Sequence, residues 1–128
     1  MLLVKTKLAT SKIHGIGLIA DQYIAGGTVV WEHDDIIDRV YCSSKLNSLP
    51  FLAHQAILTY GWREGQYYIY PGDNARFINC SKEPNCKIND KGQSVAIRDI
   101  FPGEEITEDY SSFDEDFNLY ADDITSSD

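Results

Sequence analysis

The run from Asp73 to Cys86, DNARFINCSKEPNC, constrains this chain more than any other stretch. Its Asn, Asp and Pro content is that of a surface loop. Phe77 and Ile78, set between Arg76 and Asn79, are apolar and turn that loop inward. An inward loop must satisfy its backbone and amide groups, which requires bracing against another loop or wrapping on a ligand.

At 128 residues, 43% hydrophobic and 12% aromatic, the chain suffices for one folded domain that buries its own core. The N-terminal MLLVKTKLAT lacks the extended apolar region of a signal peptide, and no apolar run has the length of a membrane span. A cytoplasmic or host-intracellular location is therefore expected. Cys42, Cys80 and Cys86 are odd in number and lack CxxC spacing, so reduced thiols are expected. Charge divides sharply. Residues 1–99 hold all 11 Lys and Arg against 10 acids, whereas 100–128 hold 10 acids and no base. Nucleic acid is not the expected partner of such a surface, and a basic protein is; a merely solvating acidic tail is the alternative.

Short apolar runs separated by turn residues predict a mostly-β domain with short helices. Strands are expected over 2–8, 18–20, 28–32, 35–40, 66–70, 86–89, 94–100 and 105–109. One helix is expected between Ser44 and Gly61, capped by Ser48, with Pro50 in its first turn and Gly61 at its stop. Taken alone, Gly15 and Gly17 mark a tight turn.

Three segments together carry a family likeness. ARFINCSKEPN (75–85) resembles the RFxNHSCxPN core of SET-domain protein lysine methyltransferases. His14-Gly15-Ile16-Gly17-Leu18 precedes it, and GEEITEDY (103–110), similar to the family's GEELTxDY, follows it in the family's order. The likeness spans roughly residues 3–113. It implies a SET fold of small β-clip-like sheets with a threaded pseudoknot near the C-terminus, occupying 1–113 and followed by an acidic, aromatic tail over 114–128.

The resemblance also implies the cofactor S-adenosyl-L-methionine, a lysine-bearing basic protein or peptide as substrate, and a possible homodimer, with no nucleic acid or membrane. His14, Gly15, Ile16, Gly17, Arg76, Asn79 and Cys80 then stand as cofactor-site residues. Asn79 would meet the cofactor's amino group, the Cys80 backbone its adenine, and Arg76 would tie the loop down. Tyr110 matches the catalytic tyrosine. Where the family has His, this chain has Cys80; where relatives with a zinc-bearing extension have a cysteine ligand, it has Lys82, and no cysteine follows Cys86. A four-cysteine zinc site is therefore not expected, and the resemblance suggests the minimal, stand-alone bacterial or viral type.

Tyr60, Tyr68, Phe113 and Phe117 are expected substrate-binding residues, since aromatic faces hold cations, and Phe113, Phe117 and Tyr120 are the groups left to close the channel. Glu108 joins them. It stands at a position that in several relatives is Phe or Tyr and there influences how many methyl groups are added; its carboxylate can face solvent, attract the substrate's charge or hydrogen-bond the amine. The alternative to an enzyme is a non-catalytic SET-fold module that binds a basic protein through its acidic C-terminal region.

Overall fold

The computed structural model describes residues 1–110, and the expected roles of Phe113, Phe117, Tyr120 and the acidic tail lie outside them. Among the described residues ten short strands make up four small separate sheets, accompanied by two short α-helices. β1 (Thr6–Thr10) and β2 (Ile16–Ala20) form an antiparallel hairpin with Thr6 opposite Ala20 and Thr10 opposite Ile16. β3 (Val29–Trp31) lies at the edge of a three-stranded sheet beside β9 (Ser94–Ala96), which also pairs β8 (Cys86–Ile88). A second three-stranded sheet places β6 (Tyr67–Tyr70) between β4 (Arg39–Cys42) and β5 (Trp62–Glu64).

The last pair is different. β7 (Asn79–Cys80) and β10 (Thr107–Glu108) run parallel, which brings the Asp73–Cys86 stretch against the segment ending at Tyr110. That later segment is gripped on its other side by β2: Ala20 N–H donates to Glu104 O, and Ile106 N–H to Leu18 O, each at 2.8 Å. Asn85, 2% exposed, completes the grip. Its Nδ2 donates to Glu105 O at 2.7 Å and its Oδ1 accepts from Thr107 N–H at 2.9 Å. An asparagine buried in a loop thus supplies the backbone partners that a regular sheet would have given.

The main core lies among these sheets. Leu18, Ile24, Val30, Ile100 and Ile106 are fully buried in it, and Trp31 meets Trp62 edge-on at 5.3 Å between ring centroids. A smaller cluster of Leu46, Ile57 and Tyr68 seats the helices on the β4–β6–β5 sheet.

Several expected elements move. The first strand occupies Thr6–Thr10 rather than 2–8, because Leu2 and Val4 pack on the core and Leu2 makes an isolated bridge to Trp31. The expected strand at 35–40 is displaced to Arg39–Cys42. Asp34 Oδ1 accepts from the N–H groups of Ile36 and Ile37 and fixes a turn there. The single helix is two, α1 (Ser43–Leu46) and α2 (Phe51–Tyr60). Ser48 Oγ donates to Lys45 O and closes the first instead of capping the second; Pro50 is the N-cap of α2 rather than part of its first turn. Gly61 does end α2, in extended backbone. β5 and a 3-10 helix over Asn74–Phe77, begun by Asp73 Oδ1 accepting from Ala75 N–H, were not expected.

Candidate active site

Two of the sequence motifs and the Asp73–Cys86 stretch meet at one carboxylate. The Asn79 side chain donates through Nδ2 to His14 O at 3.0 Å, to Ile16 O at 3.2 Å and to Glu105 Oε2 at 3.0 Å. Ser11 Oγ donates to Glu105 Oε1 at 2.7 Å while accepting from the N–H groups of Ile13 and His14. One amide and one carboxylate therefore clamp the β1–β2 turn to β7 and to the start of the 103–110 segment. Gly15 makes that turn with φ of +50°, in the left-handed region where glycine carries no penalty. Gly17 serves by its missing side chain: a Cβ there would lie 2.7 Å from Glu105 Oε2.

The structure brings His14, Gly15, Ile16, Gly17 and Asn79 into one neighbourhood. Cys80 joins through β7, where it pairs with Glu108, and its Sγ accepts from Tyr110 N–H at 3.4 Å. Arg76 follows on the same stretch, its guanidinium 5.4 Å from the centroid of the Phe77 ring. The hub itself, Glu105 with Ser11, was missed as a pair of site residues. Its signal was the second Glu of GEEITEDY, which sequence alone does not distinguish from an exposed turn residue.

Tyr110 and Glu108 share a cavity of about 20 Å³, lined also by Trp31, Trp62, Ile78 and Ser94. The Tyr110 hydroxyl donates to Ile78 O, so the phenol is held by the stretch that carries Asn79. Glu108 faces inward and is 3% exposed, which removes the solvent-facing option for it. Ser94 Oγ donates to its Oε1, while its Oε2 is buried without a hydrogen-bond partner. Trp31 Nε1 is in the same condition. Burial pushes the Glu108 carboxyl up to about 7, and the Ser94 hydrogen bond opposes the rise only in part. Cys86 is pushed up to about 12 by burial and by the nearby Glu108 charge, so it is a neutral thiol. Trp31 and Ser94 were not foreseen as site residues. Their sequence separation from Glu108 left no local pattern to read.

The expected aromatic substrate residues divide. Tyr60 is 39% exposed and packs edge-on against Phe77, with centroids 5.6 Å apart, beside the Asn79 stretch. Tyr68 is 7% exposed, belongs to the small cluster with Leu46 and Ile57, and is not among the residues that line the Tyr110 cavity.

The acceptors around Asn79 fit a cofactor that presents an ammonium and a sulfonium. Glu105, the Asn79 amide and the His14 and Ile16 carbonyls offer acceptors to its cationic groups, and the exposed backbone at Gly15 and Ile16 admits close approach. Glu105 fills the space a side chain at position 17 would need, so the cradle depends on glycine there.

Comparison with known proteins gives a consistent result. The model of the SET domain matches residues 15–111. Human histone-lysine N-methyltransferase 2B is 36% identical over 111 residues, an alignment covering 78% of this chain; the chain spans about 4% of that relative's length. A Plasmodium falciparum protein whose crystal structure was assigned as that of a histone methyltransferase superposes with a TM-score of 0.61, at 16% identity, over 85% of this chain and 95% of its own. At that identity the likeness shows the fold alone.

Proposed function

The chain belongs to the SET-domain family, and on that premise we propose that it transfers a methyl group from S-adenosylmethionine to the side-chain amine of a lysine in a basic protein. The observation that carries the reading is the convergence of Gly17, Asn79 and Glu105 at one cradle, with Tyr110 tied by its hydroxyl to Ile78, the residue before Asn79. When bound, the cofactor supplies an electrophilic methyl on a positive sulfur. Asn79 and Glu105 would hold its amino-acid end, with the Cys80 backbone beside them.

Positioning supplies most of the catalysis in such a transfer. The substrate ammonium, with a free pKa near 10.4, must first lose its proton, which costs about 4.6 kcal/mol at pH 7. A cavity walled by Trp31, Trp62 and Ile78 favours the neutral amine by desolvation. Tyr110 donates its hydroxyl proton to Ile78 O, which fixes the phenol oxygen at the cavity that would receive the amine. The ten acids and absent bases of residues 100–128 complement a cationic substrate.

Incubation with methyl-labelled cofactor and a mixture of lysine-rich proteins tests the assignment. Tyr110→Phe is expected to lower incorporation at least tenfold, a loss of about 1.4 kcal/mol or more of transition-state stabilisation. Equal incorporation would remove Tyr110 from its role. A wild-type chain that binds basic proteins tightly and transfers nothing would establish the binding-module alternative.

A further inference from the structure

We propose that the Glu108 carboxyl group receives the charged head of the substrate amine in the cavity it shares with Tyr110 and accepts its proton. The inference rests on the lysine methyl-transfer reading and adds a proton acceptor to it.

The cavity is built around an unmet need. Glu108 is 3% exposed; one of its oxygens takes the Ser94 hydroxyl and the other takes nothing. A buried carboxylate oxygen without a donor is unfavourable and marks a place where a ligand completes the structure. Among the described residues that line the cavity none is Lys, Arg or His, so no protein cation answers the carboxylate. The groups that face it are the Cys86 thiol from β8, the Ser94 hydroxyl from β9 and the Tyr110 phenol, with the Arg98 charge felt as far as Cys86. Room of about 20 Å³ suits one water-sized group, which is the size of an ammonium head. Trp31, whose Nε1 is the other buried atom without a partner, lines the same cavity. The arriving ammonium supplies the missing donor to Glu108 Oε2.

Burial supports the chemistry, since a carboxyl pushed up to about 7 is populated in both forms at neutral pH. In the step itself an N–H bond of the ammonium breaks and an O–H bond forms on Glu108 Oε2. The electron pair of the broken bond stays on nitrogen, leaving a neutral amine and a neutral acid. The proton returns to water when the product leaves.

The test uses n-butylammonium as the probe for a lysine head, on the isotope-labelled full chain. The Glu108 carboxyl is titrated by carbon NMR with and without the probe at equal ionic strength, and the Trp31 indole N–H is followed in parallel. The midpoint near 7 is expected to fall when the probe is present, and the Trp31 resonance to shift. Glu108→Gln is expected to abolish the probe-induced Trp31 shift. In methyl transfer it should lower kcat/KM at least tenfold and remove the rise of kcat/KM with pH near 7. A midpoint unmoved by the probe, or a Glu108→Gln enzyme with full kcat/KM and an unchanged profile, overturns the proposal while wild-type transfer leaves the function standing. A moved midpoint in a protein that transfers no methyl keeps the cation site and refutes the function. Should Glu108→Gln fail to fold, the wild-type titration decides alone.

Discussion

Replacing Glu108 by Gln should make the protein's stability less sensitive to pH and raise it in alkaline solution. The side chains have nearly the same shape, and Gln keeps an oxygen for the Ser94 hydroxyl. The wild-type carboxyl is raised from 4.5 to about 7 in the folded state, mainly by burial. Folded protein therefore holds this proton more tightly than unfolded chain, and stability falls as pH climbs through the interval from 4.5 to 7. A shift of that size corresponds to roughly 3 kcal/mol, present as stabilisation relative to the ionised state below the interval and lost above it. Urea denaturation followed by tryptophan fluorescence at pH 5 and pH 8 measures the difference. Wild type and variant should lie close together at pH 5, and the variant should be more stable by roughly 2–3 kcal/mol at pH 8. The chain's net charge of −9 repels itself almost equally in both proteins, so it cancels from the comparison. Identical pH dependence in the two would refute the reasoning, because it would mean that Glu108 is not ionising in a buried site.

Gly72→Ala should prevent folding or cost several kcal/mol on the scale of overpacked sites, since a Cβ there would lie 1.6 Å from Ile37 O; a urea midpoint within error of wild type would contradict this. Gly17→Ala is milder for the fold, because the atom it meets is the movable Glu105 carboxylate. It should leave thermal unfolding cooperative and yet weaken S-adenosylmethionine binding at least tenfold, about 1.4 kcal/mol, by calorimetry. Asn79→Ala removes three hydrogen bonds and leaves Glu105 with Ser11 alone, so a stability loss of roughly 1–3 kcal/mol in urea denaturation is expected.

Much of this architecture was legible because it is written in local signals. Gly15, the Pro84-Asn85 turn and the Gly103 turn stand between short apolar runs, and they lead to small sheets rather than one large one. The order of the three motifs pointed to the His14–Gly17 turn and Asn79 as parts of one site, whereas Glu105, the carboxylate that joins them, carried no distinguishing signal of its own. Other features depend on partners distant in sequence. Leu2 reads as strand by its neighbours but is drawn into the core by Trp31. Asp34 was a readable turn signal, overlooked because Ile36, Ile37 and Val40 suggest a strand. Glu108 follows buried Thr107 and is itself buried, so the alternation of a half-exposed strand does not hold in β10. With β2 bonded to residues 104–106 and β7 to β10, the segment is enclosed from more than one side, and no period in the sequence records that. Trp31 and Ser94 became site residues for the same reason.

Isothermal titration of S-adenosylmethionine into the wild-type chain and into Asn79→Ala tests most directly whether the loop from Asp73 to Cys86 and the His14–Gly17 turn form a cofactor cradle. Saturable one-to-one binding by the wild type, weakened at least tenfold by the substitution and therefore by about 1.4 kcal/mol, is the predicted result. A folded wild-type protein that binds no cofactor, or one whose affinity is indifferent to Asn79, would contradict it.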